Sequence, residues 1–280
     1  MCDRLSRAAG VVPTGPRIRH SGPVTVDELT RPVSQRTLGT ETLLVLGLSL
    51  GQSAVYALVS LVAKLTATGG LAKQTAALNT SASARPYLDL TYQLLGIFFV
   101  LVPVLLAVHL LARDPGQPAR TLGVDLTRPG SDLARGAGLA ALIGLPGLAL
   151  FWAAAHLGVN ATLVPAALPH LWWAVPVLIL AAVQNAVLEE VIVVGYLVTR
   201  LRQLGWRLGA VIAASAVLRG SYHLYQGFGA FVGNAVMGVV FSLVFLRTRR
   251  VAPLIVAHTL LDVVAFVGYA LLPKSWFGWL

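Results

Sequence analysis

Charge is what this sequence has least of: Asp, Glu, Lys and Arg make up 11% of 280 residues, against roughly 25% in an ordinary soluble domain. That scarcity, set beside 56% hydrophobic residues, excludes a water-soluble globular chain and leaves a polytopic membrane protein. Cysteine is nearly missing too. Cys2 is the single one, so no intrachain disulfide, Cys-based zinc site or redox pair can be built. Acid is scarcer than base, with 11 Asp+Glu against 21 Lys+Arg and a formal charge of +10. A basic excess can signal nucleic acid. Here the arginines fall mostly between hydrophobic runs, a topological pattern that argues against a nucleic-acid partner.

Residues 1–40 are polar and rich in Arg, Pro, Ser and Thr, which reads as a disordered cytoplasmic tail. Residues 41–280 are expected to form one all-α transmembrane helical domain, a polytopic membrane helix bundle. About seven spans are expected, at about 42–64, 91–112, 136–156, 171–198, 208–226, 229–246 and 251–272. The first apolar run is too long for the core of a signal peptide. Pro103 should kink the second span, and Trp172-Trp173 reads as a headgroup-depth anchor. Gly229 with Gly233, and Gly205 with Gly209, have the spacing that lets helices approach closely. No internal repeat is visible. Sixteen Lys and Arg fall on the side of the N-terminal tail and four on the other, with Arg219 inside the bundle. The expected protein is therefore multi-pass with a cytoplasmic N-terminus, in a bacterial plasma membrane.

Against this apolar background a few polar residues stand out. Glu189-Glu190 lie inside a hydrophobic run, where an acid costs roughly 2.5–3.5 kcal/mol on insertion scales. Asn185 and Glu189 are one helical turn apart, as are Arg219 and His223, and His258 and Asp262, so each helix offers a paired polar face. At 1.5 Å per residue, Glu189 sits about 16 Å from Arg200 and His258 about 11 Å from Val251, which places both in the cytoplasmic half; His223, about 24 Å from Arg207, fits this depth less well. These residues are expected to form one buried site facing the cell interior.

The order Glu189-Glu190, then Arg219-Gly220-Ser221-Tyr222-His223, then His258-Thr259-Leu260-Leu261-Asp262 resembles the CPBP family of intramembrane proteases. That family includes CAAX endopeptidases and bacterial proteins linked to bacteriocin immunity, and its signature is EExxxR, FxxxH and HxxxN or HxxxD. The resemblance covers about 171–265 and departs at two positions. Val194 stands where the family usually has Arg, and Arg219 where it usually has Phe. The guanidinium is expected to have moved to another helix while still pairing with Glu190.

The resemblance implies an intramembrane endopeptidase acting on a membrane-associated peptide or protein within the lipid bilayer. Catalytic roles then fall on Glu189, Glu190, His223, His258 and Asp262, with Arg219, Asn185 and Tyr222 in support. Glu189 would be the general base that activates a water. His223 and His258 would stabilise the oxyanion directly or through a metal. In a metal version, zinc would take His223, His258 and Asp262 as its three protein ligands; no cofactor is required by the residues alone. Two other classes remain: a catalytically inactive scaffold or regulator of the same family, and a proton-coupled transporter. The absence of inverted halves argues against the transporter.

Overall fold

The structure is a computed structural model that describes residues 33–114, 120, 122–169 and 171–273. Helix α1 (Gln35–Gly47) starts where the Ser34 Oγ accepts the Thr37 backbone N–H at 3.1 Å, a side-chain cap for a helix end that lacks partners. It meets α2 (Leu50–Thr66) at a 51° bend. Helices α3 (Pro86–Val100) and α4 (Val102–Ala112) form one apolar stretch of 27 residues, interrupted at Leu101. The interruption lies next to Pro103, which has no N–H to give and whose ring collides with the preceding turn. Then come α5 (Pro129–His156), α6 (Ala174–Glu189), α7 (Leu197–Gln203), α8 (Leu208–Ser221), α9 (Phe228–Thr248) and α10 (Ala252–Leu271). A π-helical segment, Glu190–Tyr196, joins α6 to α7.

The all-α class is as expected, but the span count differs. Among the described residues five helices are long and apolar enough to cross a membrane, six if α1 and α2 are one bent span. The difference is α8. The expected span runs to about residue 226, yet the helix ends after 14 residues at Ser221, a rise of about 21 Å against a hydrocarbon core of about 30 Å. The chain then makes a tight turn at Leu224–Gln226 and passes through Gly227 at φ +121°, a conformation that suits glycine alone.

The continuous helix from Ala174 to Gln203 is the axis of the bundle. Val193, Val194 and Tyr196 are fully buried, with α4, α8 and α9 packed around the π segment and α10 lying between α5 and α6. Two opposite ends result. At one end the α2–α3 and α5–α6 connections pair through parallel strands β1 (Thr75–Ala77) and β2 (Thr162–Val164). Asn160 bridges to Gly227 of the α8–α9 connection at the same end. At the other end Arg200 reaches Asp114 and Glu41, and Arg250 reaches Asp125 and Asp132. The Val251 N–H donates to the Leu122 carbonyl there at 2.7 Å.

Smaller expectations resolve in detail. Residues 35–40 of the expected tail are helical, and residues 1–32 lie outside the described part. Of the expected anchor pair Trp172 is exposed, whereas Trp173 is 2% exposed and packs with Leu90, Ile97 and Leu168. Gly229 and Gly233 bring α9 against Ala154 and Leu150 of α5, whereas Gly205 and Gly209 have open space around them. Gly205 instead makes a turn at φ +79°.

Candidate active site

The two adjacent glutamates sit where α6 gives way to the π segment. The Leu197 N–H reaches back five residues to the Ile192 carbonyl, a wide-turn geometry that recurs at functional sites. Carbonyls loosened by the wide turn find side chains. Ser215 Oγ of α8 donates to Val193 O at 3.0 Å, and Ser242 Oγ of α9 donates to Ser215 Oγ at 3.1 Å. Three helices are thus tied together at the depth of the glutamates.

Glu190 is fully buried and its Oε1 is the centre of a polar knot. It accepts from Arg219 Nη2 at 2.5 Å and from His258 Nδ1 at 2.7 Å. Arg219 is fully buried as well, with its guanidinium 5.3 Å from the Phe241 ring centroid. A buried ion pair is held by excellent geometry, because an unmatched charge there costs several kcal/mol. The displaced guanidinium does reach Glu190 from α8, while Val194 lies in the apolar core. Arginine at 194 would enter that core rather than the polar knot.

Glu189 faces the other way. Its Oε2 accepts from Tyr222 OH at 2.7 Å and lies 3.7 Å from Arg219 Nη1. Both Glu189 and Tyr222 line a cavity of about 580 Å³, together with Asn185, His223, His258 and Asp262. His223 donates through Nδ1 to the Arg219 carbonyl at 3.0 Å, and His258 donates through Nδ1 to Glu190. In each imidazole Nε2 is the remaining nitrogen. His258 Nε2 lies 3.7 Å from Asp262 Oδ1, and Asn185 Nδ2 donates to Asp262 Oδ2 at 3.4 Å. All eight residues singled out by the sequence thus fall in or against one cavity; Glu190 and Arg219 stand behind it.

The awkward depth of His223 disappears once the helix ends are known. Glu189 is about 21 Å from the end of α7 at Gln203, and α8 carries the chain about 20 Å from Leu208 to Ser221. Both residues reach the cavity at the same level. Sequence reading missed Gln184, which lines the cavity and donates through Nε2 to Asn185 Oδ1 at 3.2 Å. An amide inside an apolar run was the available signal.

The group placed compactly enough to hold an ion differs from the expected set. Among the described residues the group compact enough to hold an ion is Glu189, Glu190 and His258, with ligand atoms within 4.8 Å of one another, and not His223, His258 and Asp262. In that group Glu190 Oε1 and His258 Nδ1 already bond each other, and the Arg219 guanidinium occupies the same pocket. A divalent ion would have to displace or sit beside this fixed cation. The residues present do not fit the three-ligand zinc site expected from sequence.

No curated protein and no solved structure matches this chain. Residues 171–264 match the family model described as type II CAAX prenyl endopeptidase Rce1-like. The part of the chain that builds the cavity's polar wall, about a third of its length, is thus similar to that CAAX protease family.

Proposed function

We propose that the chain is an intramembrane endopeptidase in which Glu189 activates water without help from a metal. The observation that carries this reading is the contrast between two neighbouring carboxylates. Glu190 is neutralised by Arg219 and walled off, whereas Glu189 borders the cavity with a tyrosine hydroxyl on one oxygen. One acid is structural in its contacts and the other is presented to a substrate.

In the proposed reaction Glu189 takes a proton from a water lying between it and His223 Nε2, and the oxygen attacks the scissile carbonyl carbon. The carbonyl oxygen becomes negative and faces His258, which Glu190 holds through Nδ1 and Asp262 flanks at Nε2. Glu189 then returns its proton to the departing amide nitrogen, the C–N bond breaks, and a carboxylic acid and an amine leave. Preorganised donors of this kind act without reorganising as charge develops. Tyr222 holds the Glu189 carboxylate in place, and Asn185 holds Asp262.

The test is Glu189→Gln in purified protein reconstituted in lipid, assayed on membrane proteins of the host. Cleavage should fall by at least about a hundredfold, within the range attributed to a general base, with thermal stability unchanged. Undiminished cleavage would remove Glu189 from the chemistry. A non-catalytic scaffold would show no cleavage in either form and keep its partners in both.

A further inference from the structure

The cavity is not equally distant from the two ends of the bundle. From its polar floor at Glu189 it is walled by Leu78 and Asn79 beyond β1, by Leu163 in β2 and Pro165 beyond it, and by Tyr225 of the α8–α9 turn. All of these belong to the end where the parallel strands lie. Among the described residues, nothing from the connections at the opposite end, residues 113–114, 120, 122–128, 204–207 or 249–251, lines it.

That opposite end is the basic one. It carries Arg113, Arg128, Arg200, Arg202, Arg207, Arg249 and Arg250, while the strand end has Lys64, Lys73 and Arg85 among the described residues. Short connections rich in Lys and Arg stay on the cytoplasmic side. The cavity is therefore lined from the end opposite the arginines.

The wall also has a lateral feature. Ser53 of α2 and Val100 of α3 both line the cavity and are both exposed on the bundle surface, and α2 and α3 are not among the closely packed helix pairs. A chain lying in the bilayer can reach the cavity between them.

We propose that this site takes its substrate from the non-cytoplasmic side, as a segment of a membrane-anchored or exported polypeptide entering beside β1 and β2 and between α2 and α3. A carboxyl-terminal tail presented from the cytoplasm would meet the arginine-rich end, where Arg200 and Arg250 are tied down by carboxylates and no cavity-lining residue lies. The proposal rests on the endopeptidase reading for what is done to the segment, but not for the side from which it comes.

The test reads the side directly. Cys2 is the only native cysteine, so Cys2→Ser gives a cysteine-free background for single cysteines at Ala167 on the strand end, Ala265 in the cavity wall, and Leu126 at the arginine-rich end. Ala167 and Ala265 are exposed, as is Leu126. A charged, membrane-impermeant maleimide is applied to intact spheroplasts and again after permeabilisation. Labelling of Ala167→Cys and Ala265→Cys in intact spheroplasts, with Leu126→Cys labelled only after permeabilisation, is the expected result. Labelling of Leu126→Cys in intact spheroplasts would overturn the proposal. So would labelling at 167 with none at 265, since the cavity would then not reach water from that end. Ser53→Cys, also exposed and cavity-lining, replaces Ala265→Cys if that variant does not accumulate. Labelling requires no catalysis, so loss of the endopeptidase reading through Glu189→Gln leaves this result standing, and a reversed labelling pattern leaves that reading intact.

Discussion

One carboxylate oxygen, Glu190 Oε1, receives both the Arg219 guanidinium of α8 and the His258 imidazole of α10. A residue on the axial helix thereby fixes one helix by charge and orients a cavity-facing ring on another. Energetically the two tasks differ, because the ion pair is an all-or-none requirement of burial and the imidazole contact is a matter of aim.

The ion pair should dominate stability. Arg219→Leu leaves the buried Glu190 charge with only the His258 imidazole against it, and the expected loss is about 3–5 kcal/mol, the cost of breaking a buried pair from one side. Adding Glu190→Gln should recover much of it. Detergent-solubilised protein followed by a thermal unfolding assay gives the comparison; a single Arg219→Leu variant as stable as the parent would show that the pair bears no load.

Tyr222→Phe removes a hydroxyl that donates to Glu189 at 2.7 Å and leaves the ring in place. Hydrogen bonds to charged groups contribute about 1.5–3 kcal/mol, so kcat/KM should drop by about ten- to a hundredfold with little change in melting temperature. An unchanged rate would mean that Glu189 is positioned by its other neighbours.

Asp262→Ala should lower kcat more than Asp262→Asn. The amide can keep the contact with Asn185, reached at 3.4 Å, and remain beside His258 Nε2 at 3.7 Å, whereas alanine keeps neither. Equal rates for the two variants would place Asp262 outside the oxyanion environment.

Chelator treatment followed by metal analysis should leave proteolysis intact, because Glu190 and His258 are already committed to each other and to Arg219. Activity that disappears on chelation and returns with added zinc would overturn the metal-free mechanism.

At the basic end, Arg250 donates to Asp125, and this holds the Asp125 carboxyl well below the usual carboxylate range; Thr127 adds to the effect. A carboxylate with a lowered folded pKa contributes stability that is present above its unfolded value, about 3.9, and is lost as pH falls through the folded value. Melting temperature should therefore decline through the strongly acidic range, and Asp125→Asn should flatten that part of the profile. An identical acid limb in the variant would exclude Asp125 as a contributor.

What could be read in advance follows from what each feature depends on. Glu189, His223, His258 and Asp262 were legible because ionisable groups inside apolar helices must satisfy one another, and the pairing of Arg219 with Glu190 follows from the same necessity. The end of α8 was not legible because a span of ordinary length counted from Leu208 carries on to residue 226, across Arg219, Gly220, Ser221 and His223, whereas the helix stops at Ser221 and the backbone turns at Gly227. The π segment was hidden for a related reason: Glu190–Tyr196 has the composition of any buried helix, and its width depends on Ser215 being present across the interface to take the Val193 carbonyl. β1 and β2 pair three residues each across 80-odd positions of chain, too short a pattern to register.

The placement of the guanidinium on α8 rather than beside its acid on the axial helix has a consequence for descent. Losing the charge at position 190 first leaves Arg219 with only the longer contact to Glu189, and losing it at 219 first leaves Glu190 with only His258, in a medium that cannot solvate either charge. Lineages derived from this chain are expected to keep both or to exchange both together, so that the two columns of a future alignment covary although 29 residues separate them.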